Sequence, residues 1–166
     1  MSTVGEKIMM KKIIIWMLVA LWMGVIFCFS AQEASQSKKV SSGVIKTVVK
    51  AIDFNDSLSD NEVENVSENL TFIVRKGAHF SAYALLCILI SLLLKEYGIC
   101  GKINFILSVI ICFLYACSDE IHQIFVKGRS GEVRDVLIDT AGTITGYLFL
   151  VAVNAIRKKI ISKKYS

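Results

Sequence analysis

The chain contains no proline. Nothing in it therefore forces a kink or a break into a long helix. Histidine is nearly as scarce, with two copies in 166 residues, and neither an HExxH motif, a Ser-His pair nor a phosphatase-type histidine signature is present. That argues against the familiar patterns of metallohydrolase and nucleophilic hydrolase. The five cysteines, Cys28, Cys87, Cys100, Cys112 and Cys117, form no CxxC pair and lie within or beside apolar runs. Such spacing supports neither a disulfide framework nor a thiolate metal centre, so no metal and no cofactor are expected. No fixed period of self-similarity appears either, which excludes a solenoid or a transporter made of two like halves.

What the chain has in abundance is apolar surface. A hydrophobic fraction of 54% and a mean hydropathy of +0.59 exceed those of ordinary soluble domains and point to a membrane protein. The formal charge is +5, but the basic residues flank apolar runs and form no stripe with interleaved aromatics. Membrane lipids with anionic headgroups are therefore the expected partners, and nucleic acid is not. Four segments reach the length needed to cross a hydrocarbon core, at about 13–31, 77–95, 103–124 and 136–156. The first follows Lys7, Lys11 and Lys12, exceeds the usual signal-peptide core and lacks a clean cleavage site, so it reads as a retained anchor. The expected fold class is all-α: a polytopic four-transmembrane-helix bundle forming one domain over 1–166, its oligomeric state left open.

A polar segment, 32–74, separates the first two spans. Val40, Val44, Ile45, Val48, Val49 and Ile52 recur at helical spacing, as do Val63, Val66, Leu70 and Ile73. Two short amphipathic helices in a loop outside the cytoplasm are expected from them. DFNDSLSDNEVE (53–64) imitates part of a calcium loop but has Leu58 where the turn requires glycine, so it reads as a connector. Lysine and arginine near span ends set orientation. Lys7, Lys11, Lys12, Lys95, Lys102 and the cluster from Arg157 to Lys164 share one side, which places both termini in the cytoplasm. Arg75, Lys76, Lys127, Arg129 and Arg134 then fall on the outer side, against the rule. Those five need another task.

The polar residues that disturb the hydropathy pattern gather at one end of the spans. Arg75, His79 and Tyr83 recur every fourth residue at the start of span two, with Lys76 adjacent. The third span ends in Tyr115, Asp119, His122 and Gln123 on one face, with Glu120 turned away by about 100°. Asp135, Asp139, Gly142 and Gly146 follow helical spacing into span four. Antiparallel neighbours bring these stripes to a single membrane face. A charge turned toward lipid costs about 2.5–3.5 kcal/mol or more near a helix centre, so the groups should face one another or a wet cavity. Mutual neutralisation is one outcome: Arg75, Lys76, Arg129 and Arg134 against Asp119, Glu120, Asp135 and Asp139. The GxxxG spacing at Gly142 and Gly146 continues the acidic face inward and is read as packing inside the bundle, not as a dimer contact.

The segments RKGAHFSAYALL (75–86) and YACSDEIHQIFVKGRSGEVRDVLIDTAGTITGY (115–147), with the four-span plan, resemble the VanZ-like family of bacterial membrane proteins. The resemblance covers about the carboxyl two thirds. It implies a bacterial cell-membrane protein linked to resistance to the glycopeptide teicoplanin, and characteristic polar positions at Lys76, His79, Asp119, Glu120, Gln123, Arg129, Asp135, Asp139 and Gly142. Asp139 stands where the family often has asparagine, and Lys127 where proline is frequent. Three functional classes follow. The first is recognition of a lipid-linked cell-wall precursor, or of the glycopeptide, by an outward polar cavity built from Arg75, Lys76, His79, Asp119, Glu120, His122, Gln123, Arg129, Asp135 and Asp139. The second is an intramembrane hydrolase or transferase using Glu120 or Asp119 with a histidine. The third is an assembly partner or passive pore.

Overall fold

The computed structural model describes residues 2–31, 60–129 and 131–164, with 43, 45 and 47 described singly. Within them lie four long helices and no strand: α1 (Ser2–Ser30), α2 (Asp60–Glu96), α3 (Gly101–Ile124) and α4 (Val133–Lys164). All four are long and apolar enough to cross a membrane. The chain is thus an all-α, multi-pass membrane protein.

The helices run alternately up and down. At one pole, which we call the closed pole, the start of α1 meets the end of α2 through Lys11 and Glu96 at 2.6 Å and through the Trp16 indole donating to Tyr97 Oη at 3.0 Å. The start of α3 meets α4 there through Tyr147, whose hydroxyl donates to the Gly101 carbonyl at 3.2 Å. The end of α1, the start of α2, the end of α3 and the start of α4 share the opposite, open pole. Helix α2 is the hub, touching the other three, and α1 touches α2 and α3 but not α4.

Packing reverses the pattern of a water-soluble bundle. The buried side chains of α3 are Asn104, Ser108, Cys112, Ala116, Asp119, Glu120 and Gln123, while Ile103, Ile106, Leu114 and Ile121 point outward. Small and polar groups inside, with large apolar groups outside, is the arrangement expected when lipid is the solvent. Tyr83, Leu86, Cys87 and Ile90 of α2 form the centre of the apolar core with Cys112 and Ala116 of α3. On the other side of α2 the α4 backbone comes very close. A Cβ at Gly142 would strike the Phe80 carbonyl, and one at Gly146 the Ala84 carbonyl. The GxxxG face is therefore the α2–α4 seam. All five cysteines are free.

Two expectations need revision. Helix α2 begins at Asp60, not near residue 77, so Val63, Val66, Leu70 and Ile73 lie on the spanning helix itself and not on a separate short one. No glycine or proline between 60 and 76 interrupts the backbone hydrogen bonds, and the first apolar span simply inherits the turns before it. The face turned inward is also different: Val63, Ser67 and Thr71 are buried, whereas Val66, Leu70 and Ile73 are exposed. The stripe from Val63 to Tyr83 then runs every fourth residue through Arg75 and His79. The other pattern, Val40 to Ile52, lies outside the described residues except Ile45, which is helical, and so does the calcium-like stretch before Asp60.

Candidate functional site

At the open pole, the sequence between α3 and α4 must reverse direction within a few residues. Phe125, Val126 and Arg129 donate backbone N–H bonds of 3.0 Å to the carbonyls of His122, Gln123 and Val126, and Gly128 takes a φ of 76°. That left-handed conformation strains a side chain with a Cβ, so glycine suits the corner. The turn folds Arg129 back over the end of α3.

Arg129 then organises the polar groups. Its guanidinium donates to Gln123 Oε1 at 3.2 Å and, at the 3.5 Å limit, to the Phe29 carbonyl at the end of α1. Gln123 turns its amide nitrogen the other way, toward Glu120 Oε1 at 3.2 Å and Asp119 Oδ2 at 3.4 Å. Glu120 Oε2 accepts the backbone N–H of Glu132 at 2.9 Å, which ties α3 to the approach of α4. Lys76 on α2 forms an ion pair with Asp135 on α4. Burial, and next the neighbouring Arg75, lower the pKa of Arg129 from its ordinary value, opposed by Asp119, Glu120 and Asp135. A guanidinium still carries its charge at any physiological pH.

A half-open cavity of about 240 Å³ lies in front of this network. Six of the ten residues expected there line it: Arg75, Lys76, His79, Gln123, Arg129 and Asp135. Phe72, Gly128 and Glu132 complete the wall. The remaining four are placed otherwise. Asp119 and Glu120 are buried behind Gln123, and Asp139 is buried one turn deeper in α4. His122 packs at a tilt against Phe27 of α1, with ring centroids 4.4 Å apart and planes 39° from parallel. Neutralisation of four cations by four acids is not what forms, because among the described residues only Lys76 and Asp135 come within ion-pair distance. Arg134 reaches Glu132 at 3.7 Å instead, and its guanidinium sits 5.2 Å from the centroid of Phe72. Rotation of α4 about its axis decides this: the acid one turn below Asp135 faces the core, away from the cations of the rim.

Behind the cavity several buried groups keep spare bonding capacity. The Tyr83 hydroxyl and both carboxylate oxygens of Asp139 have no hydrogen-bond partner among the described residues, although Asp139 is only 1% exposed, whereas Asp119 has the buried Ser30 hydroxyl beside it. Buried polar atoms are normally satisfied, so such a concentration is unusual for a purely structural contact. Among the described residues no three His, Cys, Asp or Glu side chains come together as a metal site.

Sequence reasoning missed Glu132, Phe72, Gly128 and the part that α1 plays at this site. Only Glu132, a charge within the turn, and Gly128, a glycine there, carried any signal. The carbonyl of Phe29 belongs to an apolar run, and the Trp22 indole and Tyr115 hydroxyl that clasp α1 donate to backbone oxygens, of Ala82 at 2.9 Å and Met23 at 2.6 Å. Backbone acceptors leave no trace in a residue pattern.

A family model described as VanZ/LLP1 matches residues 15–154, which reaches into all four helices. No curated protein and no solved structure matches the chain.

Proposed function

Since the chain belongs to the VanZ/LLP1 family, whose association is with glycopeptide resistance, we propose that the open-pole cavity faces the envelope and binds an anionic group of a lipid-linked cell-wall precursor. One observation carries this reading. Arg75 and Arg129 line the same half-buried cavity, where burial and then the nearby Arg75 charge lower the pKa of Arg129, and Arg75 forms no ion pair among the described residues. Two like charges held together in a medium of low dielectric constant are relieved by an anion between them. Phosphate and carboxylate groups fit, because a guanidinium offers them two parallel N–H donors. Gln123 and the acids behind it hold Arg129 in place, and His79 offers a further hydrogen bond at the wall.

The outward orientation rests on charge. The closed pole has the lysine-rich flanks, Lys7, Lys11, Lys12, Lys95, Lys102 and the segment from Arg157 onward, and such flanks favour the cytoplasm. Both termini then lie inside, and Arg75, Lys76 and Arg129 of the open pole are retained by ligand binding in spite of the rule. In a bacterium protected against teicoplanin by this protein, His79→Ala, Glu120→Gln and Arg129→Ala should each abolish protection while membrane abundance stays constant. Full protection by all three variants excludes the cavity from the function.

A second reading is hydrolysis or transfer on the same lipid-linked substrate. It is favoured by His79, a titratable group that opens on the cavity wall between cations able to hold a phosphate. Turnover of a lipid pyrophosphate by purified protein, lost in His79→Ala, establishes it; binding without turnover leaves recognition as the function.

A further inference from the structure

The polar cavity does not end at its rim. An apolar groove of about 420 Å³ opens on the outer surface of the α2–α4 seam and shares Phe72 and Lys76 with the cavity. Ile73, Gly77, Phe80 and Ile138 form its remaining apolar wall, and Arg134 stands at its edge. The distribution is polarised. Hydrocarbon lines the length of the groove, and cations stand at the junction, where the Phe72 ring lies 5.3 Å from Lys76 Nζ and 5.2 Å from the Arg134 guanidinium.

Gly77 sharpens the picture. A glycine inside a helix costs about 0.5–1 kcal/mol relative to alanine, so its presence usually answers to a close neighbour. Gly142 and Gly146 have such neighbours across the seam, whereas a Cβ at Gly77 would meet nothing within 4 Å. Gly5 and Gly24 of α1 are equally open, so openness alone distinguishes nothing. The distinction of Gly77 is its address, on the groove wall directly beside Lys76. A side chain there would fill the groove next to its charged mouth.

We infer that the groove holds the hydrocarbon chain of a phosphate-headed membrane lipid whose head lies in the polar cavity. This rests on the reading of that cavity as an anion site and adds the route: the ligand enters sideways from the bilayer, head and chain together. The polarity of the surface selects this occupant. A helix of a partner protein would need apolar contact along its length and its carbonyl end or an acidic residue set at the cations, whereas an anionic amphiphile meets both with one chain and one headgroup. Apolar burial of the chain supplies affinity, and the cations fix which way it points.

The test uses the full chain in phosphatidylcholine nanodiscs and a prenyl phosphate carrying a photoreactive group in its chain. Mass spectrometry should find the label on peptides that include Ile73 to Phe80 and Arg134 to Ile138. Gly77→Leu, which the open space accommodates, should lower labelling roughly tenfold, the loss of about two buried methylenes. Ile138→Trp should do the same by filling the opposite wall. Inorganic pyrophosphate, followed by calorimetry, should bind these two variants as it binds the wild type but fail to bind Arg129→Ala. Label spread evenly over the lipid faces of all four helices, or undiminished in both groove variants, overturns the groove while pyrophosphate binding by the wild type still supports the cavity. Groove labelling that persists in Arg129→Ala, with no pyrophosphate bound by the wild type, overturns the cavity reading and with it the joint occupation inferred here.

Discussion

The two poles of the bundle use polar residues in opposite ways. At the closed pole, Asn104 is fully buried and every polar atom of its side chain is engaged: its amide donates to the carbonyls of Ser91 at 3.1 Å and Ile99 at 2.9 Å, and its oxygen accepts from Ser91 Oγ at 2.6 Å. A short turn closes over the arrangement, with Gly98 at a φ of 77°. At the open pole, Gln123 is just as central but is stretched between a cation and two acids by bonds of 3.2 to 3.4 Å, in front of groups with bonding capacity to spare. The first pole is a joint, complete in itself. The second leaves the Tyr83 hydroxyl and the Asp139 carboxylate unmatched among the described residues, the opposite of the joint around Asn104.

That contrast can be broken or sharpened by substitution. The largest effect is expected between the poles, at the seam both depend on: Gly142→Leu drives a side chain into the Phe80 backbone and should destabilise the bundle by roughly 3 kcal/mol or more. Loss of a monodisperse peak in detergent, or a collapse of the thermal midpoint, reads it out. Next is the closed pole. Asn104→Ala strands the Ser91 hydroxyl and two carbonyls and should lose about 2 kcal/mol of stability, while the molecules that do fold bind pyrophosphate as before. Weakened binding per folded molecule would mean that the poles are not independent. The smallest effect is expected from Asp139→Asn, which keeps the shape and removes a carboxylate that has no partner. Its thermal midpoint should equal or exceed that of the wild type, within about 0.5 kcal/mol at the lower bound. A marked loss of stability would show that the Asp139 carboxylate is matched in the membrane, and the two poles would then differ less than described.

Much of this organisation was legible in the residues. Span lengths announced the four helices, and spacing by four placed Arg75, His79 and Tyr83 on one face and Gly142 and Gly146 on another, because both features depend on the geometry of a single helix. Pair formation was not legible. Lys76 meets Asp135 while Arg134 turns to Glu132, a choice set by how far α4 is rotated against α2, and no single-helix pattern encodes that angle. The extent of α2 was misread for a related reason. Polarity marks where lipid ends, but a helix ends only where its backbone is interrupted, and residues 60 to 76 contain no such interruption.

The inverted face of α3 bears on how the protein is made. A rod that presents Asp119, Glu120 and Gln123 along the side destined for its neighbours is poorly suited to enter the bilayer alone. Its match arrives later in synthesis, with the Glu132 amide and the rest of the turn into α4. Insertion of α3 and α4 as one hairpin avoids exposing those groups to acyl chains. The corner built around Gly128 is what joins the two rods of that hairpin.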